Sequence, residues 1–315
     1  MSAPRVLIVG AGGFVGPYLA REFIAAGYRV DGADLHPSPA LPEGVAFHAL
    51  DLLDATSVRE LLAACEPDIV VNLAGFSSVG LSWREPRTAF AVNVDGALDL
   101  LEAVRLCDKQ PRLLLVGSSE EYAAADHALS EEDPLDAQSP YGLSKLTQER
   151  LAGMWRDHYG VQAVCVRAFN HTGPGQTDRF VLPSFARQAA RIALGLDEPV
   201  IRVGNIGVRR DFSHVEDVVR AYRLIAERGD CSKIYNVGSG RADPLAAHLQ
   251  TLIGMTGKDV RVEVDPARVR KEDNPLILCD NSRLRGELGW EPRKSVDDAL
   301  RELYEGFLRT GEASR

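Results

Sequence analysis

Short apolar runs alternate with longer amphipathic segments in the first half of the chain. Residues 5–10, RVLIVG, are apolar, β-branched and stopped by glycine, as expected for a buried parallel strand. Similar runs predict strands at residues 29–34, 45–50, 68–73, 112–117 and 161–168. Helical periodicity between them predicts helices at residues 14–26, 56–64, 87–107 and 141–159. Strands that alternate with helices predict a parallel, doubly wound sheet with right-handed crossovers.

The pattern changes after residue 170. Residues 171–175, HTGPG, contain glycine and proline and are not expected to continue a strand. Later segments predict helices at 185–194, 215–228, 245–255, 283–288 and 295–308, and strands at 234–237 and 260–264. We therefore predict an α/β protein. Residues 1–169 form the sheet domain, to which residues 205–238 return, and residues 170–204 and 239–315 form a smaller C-terminal α/β cap.

The composition of the 315 residues is that of an ordinary globular protein, at 45% hydrophobic and 26% charged. The net charge of −9 argues against a nucleic-acid surface, and no apolar run reaches the roughly 18 residues of a membrane span. No signal peptide is expected, because the N-terminus enters a strand almost at once. The cysteines form no CxxC pair, which argues against a zinc site or a redox dithiol and fits a reducing cytoplasm: Cys65, Cys107, Cys165, Cys231 and Cys279. We expect a cytoplasmic protein without metal, nucleic-acid or membrane partners.

A glycine-rich turn joins the first predicted strand to the first helix. Gly10 would allow a tight turn, Gly13 would let the backbone approach a pyrophosphate, and Gly16 would let the helix pack closely on the strand. The amides that begin the helix would bind the phosphates, in the part of the turn that contains Phe14 and Val15. This context predicts a dinucleotide site, with a plain glycine-rich turn as the alternative.

Asp34 ends the second predicted strand. A carboxylate there can accept hydrogen bonds from the adenosine ribose and would repel a 2′-phosphate. No arginine or lysine lies between Asp34 and Glu43, so the sequence favours NAD(H), with NADP(H) possible. The alternative is a turn aspartate before Pro37.

Two further strand ends are expected to line the cofactor. Asp51 and Leu52 follow the third strand, where they would contact the adenine, although Asp51 alternatively caps a turn. Leu73 and Ala74 end the fourth strand, where small residues would line the nicotinamide half. These positions fall at the carboxyl ends of the strands, where doubly wound sheets bind ligands.

Three polar residues give the clearest chemical signal. Tyr141 and Lys145 are four residues apart, on one face of a helix, where the ammonium can lower the pKa of the phenol from about 10 toward neutrality. Such a tyrosine would be a proton donor or acceptor near neutral pH. Ser118 ends the fifth strand, where its hydroxyl can bond a reacting carbonyl. Glu120 is either a general acid/base or a polar rim residue.

The glycine turn, Ser118, Tyr141 and Lys145 together resemble the extended short-chain dehydrogenase/reductase superfamily, nearly end to end. Further stretches resemble its nucleotide-sugar branch around GDP-mannose 4,6-dehydratase, and within it the GDP-4-keto-6-deoxy-D-mannose reductases. These stretches are SSV at 77–79, SW at 82–83, SSEEY at 118–122, RAFNHTGPGQ at 167–176, RDF at 210–212 and YNVGSG at 235–240.

The resemblance implies a Rossmann sheet, a cap that binds the nucleotide sugar, and an NAD(P)-dependent oxidoreductase that reduces the C4 keto group of a nucleoside-diphosphate 4-keto-6-deoxyhexose. Tyr141 would be the proton donor, Lys145 would hold the nicotinamide ribose, and Ser118 would bond the C4 oxygen. Candidate substrate-binding residues are Ser78, Ser119, Asn170, Arg209, Arg210, Arg270 and Asp273. An acidic protein needs local arginines to bind a diphosphate, although each of these arginines is alternatively a solvated surface residue. A homodimer through the helices at 87–107 and 141–159 is also implied.

Two features bear on the cofactor and on the reaction. Members of the branch often carry an arginine near the end of the second strand and prefer NADPH, which Asp34 puts in doubt here. Glu120 is also kept by the dehydratases, so it does not separate the reactions, whereas the compact chain favours a reductase. The alternatives are a 4,6-dehydratase, a 4-epimerase and a non-catalytic dinucleotide-binding sensor.

Overall fold

The computed structural model describes residues 3–269 and 274–310. Its strands are β1 (Arg5–Val9), β2 (Arg29–Asp34), β3 (Ala46–Ala49), β4 (Ile69–Asn72), β5 (Arg112–Ser118), β6 (Ala163–Ala168), β7 (Asn170–Thr172), β8 (Val200–Val203), β9 (Arg209–His214), β10 (Ile234–Val237), β11 (Ala242–Pro244), β12 (Arg261–Val264) and β13 (Leu276–Ile277). Its helices are α1 (Gly16–Ala25), α2 (Ala55–Cys65), α3 (Val79–Ser82), α4 (Pro86–Phe90), α5 (Gly96–Arg105), α6 (Pro140–Tyr159), α7 (Val181–Ala193), α8 (Val215–Arg228), α9 (Leu245–Thr256), α10 (Ser282–Leu288) and α11 (Val296–Thr310).

Seven strands form a parallel sheet in the order β10-β6-β5-β4-β1-β2-β3. Alternate residues of β1 are buried on opposite faces, since Val6 and Ile8 join one apolar core while Leu7 and Val9 join the other. Helices α1 and α8 cover the first face, and α2, α5 and α6 cover the second. The predicted doubly wound sheet is therefore confirmed, and its continuous apolar strands follow from burial on both faces.

A third apolar core lies outside this sheet. Helices α7, α9 and α11 surround it with fully buried side chains such as Leu182, Leu249 and Leu300. Two small sheets accompany these helices, one of β11, β9 and β13 with β7 paired to β9, and one of β8 and β12.

The segment Asn170–Thr172 is a strand, β7, although the sequence predicted that its glycine- and proline-rich context would not be one. The chain leaves the main sheet after Ala168, and β7 then pairs in parallel with β9, Asn170 opposite Phe212 and Thr172 opposite His214. Because the partner strand lies about 40 residues further along, local composition did not reveal the pairing.

The single helix predicted at 87–107 is interrupted. Pro86 begins α4, and a π-helical turn at Ala91–Asp95 separates α4 from α5. The turn places the Asn93 side chain inward. Its oxygen accepts a hydrogen bond from the Phe76 amide, and its nitrogen donates to the Phe76 carbonyl and to the Ser144 hydroxyl. Asn93 thus connects the segment after β4 to α6 through hydrogen bonds, and the π-helical turn is what directs its side chain inward.

Candidate functional site

The glycine turn after β1 is shaped by its own contacts at two positions. Gly10 has a φ of 84°, and a side-chain carbon there would lie 2.4 Å from the Ala74 amide nitrogen. A side-chain carbon at Gly16 would lie 2.2 Å from the Ala11 carbonyl oxygen. Both positions therefore require glycine for the turn and the helix to form.

Gly13 is different, because it is exposed and a side-chain carbon there would meet only the Gly10 carbonyl oxygen, at 3.4 Å. The fold itself does not require glycine at this point. Helix α1 begins just beyond, after Val15, whose apolar side chain cannot cap the first-turn amides. The space at Gly13 is open, and the first-turn amides of α1 have no side-chain cap in the described part of the chain. Both features suit the pyrophosphate of a dinucleotide.

Two aromatic contacts join this turn to the segment after β6. The Phe14 ring stacks on His171 with centroids 6.2 Å apart, and burial lowers the pKa of that imidazole. The Tyr18 hydroxyl donates to the Pro174 carbonyl oxygen at 2.8 Å. The turn and the HTGPG segment are therefore held as one wall of the site.

Asp34 is half-buried at the end of β2. Its Oδ2 accepts a hydrogen bond from the Gly12 amide at 2.9 Å, and its Oδ1 accepts one from Leu35 at 2.7 Å. Each oxygen retains a second lone pair for a ribose hydroxyl. The structure also brings Arg21 of α1 to the following loop, where Nη2 donates to the Ala40 carbonyl at 2.8 Å. The sequence scan for cations between 34 and 43 missed it because it lies on another element.

The other strand ends expected to line the cofactor lie at the same edge of the sheet. Asp51 is exposed and its Oδ1 accepts from the Leu53 amide at 3.0 Å, so it does cap a turn. Leu52 is buried against Gly96, where any side chain would collide with it. The amides of Leu73 and Ala74 both donate to Val9 at the end of β1.

Ser118 is buried at the end of β5. Its amide donates to Glu121 Oε1 at 2.6 Å, and its hydroxyl accepts from the Glu120 amide at 3.2 Å. The same hydroxyl lies close enough to the Tyr141 phenol to lower its pKa. Ser118 and Tyr141, 23 positions apart in sequence, are therefore neighbours in the fold, and Glu120 is near enough to affect the same phenol.

Tyr141 lies in the first turn of α6, which is capped by Ser139. Its amide donates to the Ser82 hydroxyl at 3.2 Å, which anchors the turn. Burial raises the pKa of Tyr141 to about 12, the neighbouring Ser118 hydroxyl opposes this, and the charges of Glu120 and Glu121 add to the rise. The expectation that Lys145 lowers this pKa toward neutrality is therefore wrong, because desolvation of the phenolate dominates.

Lys145 is buried one helical turn later. Its ammonium donates to the Val116 carbonyl at 2.8 Å and to Gln148 Oε1 at 3.3 Å. A side-chain carbon at Gly75 would lie 3.2 Å from Nζ, so the ammonium also faces the end of β4. Burial lowers the pKa of Lys145 to about 8, which leaves it charged at neutral pH but not far above it.

A fully buried ionic network lies beneath Ser118, and the sequence analysis missed it. Arg167 donates to both oxygens of Glu149, at 2.8 and 2.7 Å, and lies 3.7 Å from Glu121 Oε2. Burial and the neighbouring Glu149 raise the pKa of Glu121 well above its usual range. The available signal was an arginine inside the apolar run VCVRA, because a buried arginine requires carboxylate partners.

The candidate substrate residues lie in several places. Ser78 caps α3 by accepting from the Leu81 amide at 3.2 Å, and Ser119 is buried in the turn after β5. Asn170 lies in β7, where it pairs with β9. Arg270 and Asp273 lie outside the described residues.

The two arginines of β9 differ in their surroundings. Arg209 is exposed and its guanidinium donates to the Ala242 carbonyl at 2.9 and 3.2 Å. Arg210 is buried and donates from Nη1 to the Arg209 carbonyl at 2.9 Å. Adjacent residues of a strand face opposite sides, so the pair presents its charges in two directions.

Among the described residues, no helix combines the length and apolarity needed to cross a membrane.

The chain is similar to several known proteins. The family model described as GDP-mannose 4,6 dehydratase matches residues 7–303. GDP-6-deoxy-D-mannose reductase from Pseudomonas aeruginosa is 33% identical over 95% of both chains. The structure of RMD from P. aeruginosa complexed with NADPH matches with a TM-score of 0.86 at 30% identity, covering 98% of this chain and 100% of that one. UDP-glucose 4-epimerase from Thermus thermophilus, in complex with NAD, matches with a TM-score of 0.85 at 27% identity, covering 96% and 98%.

Proposed function

Because the chain belongs to the GDP-mannose 4,6-dehydratase family, we propose that it reduces the C4 keto group of a nucleoside-diphosphate 4-keto-6-deoxyhexose. It is an NAD(P)-dependent enzyme of the extended short-chain dehydrogenase/reductase type. The substrate we propose is GDP-4-keto-6-deoxy-D-mannose, and the product is GDP-D-rhamnose.

The observation that carries the choice of reduction is the similarity to GDP-6-deoxy-D-mannose reductase from Pseudomonas aeruginosa, which is 33% identical over 95% of both chains. Tyr141 fits this choice, because a pKa of about 12 keeps its phenol protonated at neutral pH, which is the form that a proton donor needs.

The bound nicotinamide supplies the hydride, and the protein supplies position and protons. The neighbouring hydroxyls of Ser118 and Tyr141 would both hydrogen-bond to the C4 oxygen of the substrate. As negative charge develops on that oxygen, Ser118 stabilises it and Tyr141 transfers its phenolic proton. The alkoxide is more basic than the phenolate even at the raised pKa, so the transfer remains favourable.

The proposed cofactor contacts follow from the strand ends. The amides around Gly13 would hold the pyrophosphate, and Lys145 would hold the nicotinamide ribose beside Gly75. Asp34 would hydrogen-bond to the adenosine ribose and favour NADH, whereas Arg21, which reaches the adjacent loop from α1, would favour NADPH. We propose NADH as the preferred cofactor, with NADPH as the weaker one.

The substrate would bind in the cap of residues 170–204 and 239–315, set against the sheet domain of residues 1–169 and 205–238. We propose that Arg210 contacts the diphosphate, because a buried guanidinium suits a bidentate phosphate contact. Arg270 is proposed as a second contact from the family resemblance alone. Ser78, Ser119, Asn170, Arg209 and Asp273 would contribute further polar contacts.

We also propose a homodimer through α5 and α6. Large apolar side chains are exposed on or just beyond these helices, namely Leu106, Leu143, Met154 and Tyr159. Apolar residues on adjacent helices suit a helix-to-helix interface. Light scattering of the eluting peak in size-exclusion chromatography tests this, and a monomer mass would refute it.

The reaction is tested by following the absorbance of reduced nicotinamide with purified protein, GDP-4-keto-6-deoxy-D-mannose, and NADH or NADPH in parallel. Substrate-dependent oxidation with one equivalent of cofactor per equivalent of substrate is the expected result. No oxidation with either cofactor would overturn the proposal for this substrate. GDP-mannose without reduced cofactor serves as the control for dehydration, in which Glu120 would be the acid/base.

A further inference from the structure

Three side chains with metal-binding atoms converge on the far side of the sheet from Ser118. They are Asp31 on β2, His48 on β3 and Cys65 at the end of α2, and their ligand atoms all lie within 4.8 Å of one another. Strands β4 and β1 separate this group from β5. We propose that Asp31, His48 and Cys65 bind one Zn²⁺ ion, with a water molecule as the fourth ligand.

The distances fit this ion. Tetrahedral zinc bonds of about 2.3 Å to sulfur and about 2.0–2.2 Å to nitrogen and oxygen separate the ligand atoms by about 3.4–3.6 Å. Cys65 Sγ lies 3.7 Å from His48 Nε2, and Asp31 Oδ1 lies 2.9 Å from the same nitrogen. Opening the second distance by about half an ångström would bring that pair to the zinc value. The ligand atoms of Asp31 and Cys65 lie within 4.8 Å of each other.

The convergence on one ring nitrogen also distinguishes the group from a proton relay. In a relay, the base is bonded through one ring nitrogen and oriented through the other. Here both Asp31 and Cys65 approach Nε2. The three ligand atoms are one nitrogen, one sulfur and one oxygen, and zinc binds all three types.

One cation, Arg5, already lies beside the group, and it pairs with only one of the two Asp31 oxygens. Arg5 Nη2 lies 3.7 Å from Asp31 Oδ2, which leaves Oδ1 directed at His48. The Asp31 and Cys65 side chains are buried, whereas the His48 side chain is 34% exposed, so an ion and a water molecule can enter from that side. Burial and the nearby Asp31 raise the pKa of the Cys65 thiol to about 11, so zinc binding would release the thiol proton to solvent.

The ion would join three elements that are otherwise held by separate contacts. Strand β3 is the last strand of the main sheet and pairs with β2 there. A zinc ion would tie β3 to β2 and to the end of α2. The CxxC spacing that marks many zinc sites in a sequence is absent because each ligand comes from a different element.

The first test measures uptake of Zn²⁺ by the full-length, metal-free chain against a chromophoric chelator. We expect one ion per chain. Cys65→Ser and His48→Gln each remove a ligand and should weaken binding by at least the roughly 10- to 100-fold that loss of an outer-sphere partner costs. Cys107→Ser is the matched control, because that thiol bonds the Ala103 carbonyl elsewhere and should bind zinc as the parent does.

The second test replaces zinc with Co²⁺ and records the visible and near-ultraviolet spectrum. A thiolate-to-cobalt charge-transfer band is expected in the parent and in Cys107→Ser, and its loss is expected in Cys65→Ser. Circular dichroism of the metal-free variants shows whether each is folded, and His48→Gln, at a partly exposed position, replaces Cys65→Ser if the latter is not. Absence of stoichiometric zinc uptake, or a cobalt band that survives Cys65→Ser, would overturn the proposal.

Discussion

The carboxyl group of Glu121 accepts a hydrogen bond of 2.6 Å from the backbone amide of Ser118. Glu121 is fully buried, and its second oxygen lies 3.7 Å from Arg167 and has no hydrogen-bond partner among the described residues. Burial and the nearby Glu149 raise the pKa of Glu121 well above its usual range, which favours the protonated form. A neutral Glu121 then positions the turn that carries the Ser118 hydroxyl.

This arrangement predicts different outcomes for two substitutions. Glu121→Gln keeps a neutral acceptor for the Ser118 amide and adds no charge beside Glu149, so turnover and stability should remain within a few-fold of the parent. Glu121→Leu leaves the buried Ser118 amide without a hydrogen-bond acceptor. This should lower the free energy of unfolding by about 1–3 kcal/mol and lower kcat. Urea denaturation and steady-state kinetics test both variants. Equal damage from Gln and Leu would mean that Glu121 is ionised and its charge is needed.

Tyr141→Phe removes the proposed proton donor but keeps the ring. We expect kcat to fall by about 10²–10⁴-fold, the usual contribution of a positioned acid. NADH affinity, measured by fluorescence titration, should change little, since the glycine turn and Lys145 remain. Turnover close to that of the parent would remove Tyr141 from the mechanism.

The pH dependence should reflect Lys145 and not Tyr141. The ammonium of Lys145 is present below its pKa of about 8 and is lost above it, whereas Tyr141 stays protonated up to about 12. The kcat/KM value should therefore fall as the pH rises through about 8. In Lys145→Arg, the guanidinium stays charged, so any residual activity should lack this fall. A parent profile that is flat to about pH 10 would contradict the assignment.

Much of the main sheet was predictable because its strands are buried on both faces and read as continuous apolar runs. The predicted bounds of β2 and α8 coincide with those in the structure. The short strands β7, β8, β11 and β13 were not predicted. At two to four residues each, they are set by pairing with distant partners and not by local pattern.

In the candidate site, too, features set by local sequence were predictable and features set by tertiary packing were not. The glycine turn, Ser118, Tyr141 and Lys145 were recognisable because spacing along one strand end or one helix face determines their positions. The pKa of Tyr141 was not predictable from that spacing, since it depends on how much solvent the folded chain excludes. Arg21 and the network around Arg167 likewise reach their partners only through tertiary packing.

Cofactor preference should respond to the charge of Asp34. Asp34→Asn keeps an acceptor oxygen but removes the negative charge that would oppose a 2′-phosphate. The ratio of kcat/KM with NADH to that with NADPH should fall by about tenfold, equivalent to about 1.4 kcal/mol. Adding Arg21→Ala to this variant should reduce the NADPH activity again, if Arg21 binds the phosphate. A ratio unchanged by Asp34→Asn would show that this carboxylate does not select the cofactor.

Gly13 offers the most direct test of the dinucleotide site. A methyl group there meets only the Gly10 carbonyl oxygen, at 3.4 Å, so Gly13→Ala should change the unfolding free energy by no more than about 0.5 kcal/mol. The same methyl group would occupy the space proposed for the pyrophosphate, so NADH affinity should fall by at least about tenfold, or 1.4 kcal/mol. Gly16→Ala is the contrasting variant, because its methyl group collides with the Ala11 carbonyl at 2.2 Å and should destabilise the fold itself. If Gly13→Ala binds NADH as tightly as the parent, the pyrophosphate does not lie over this turn.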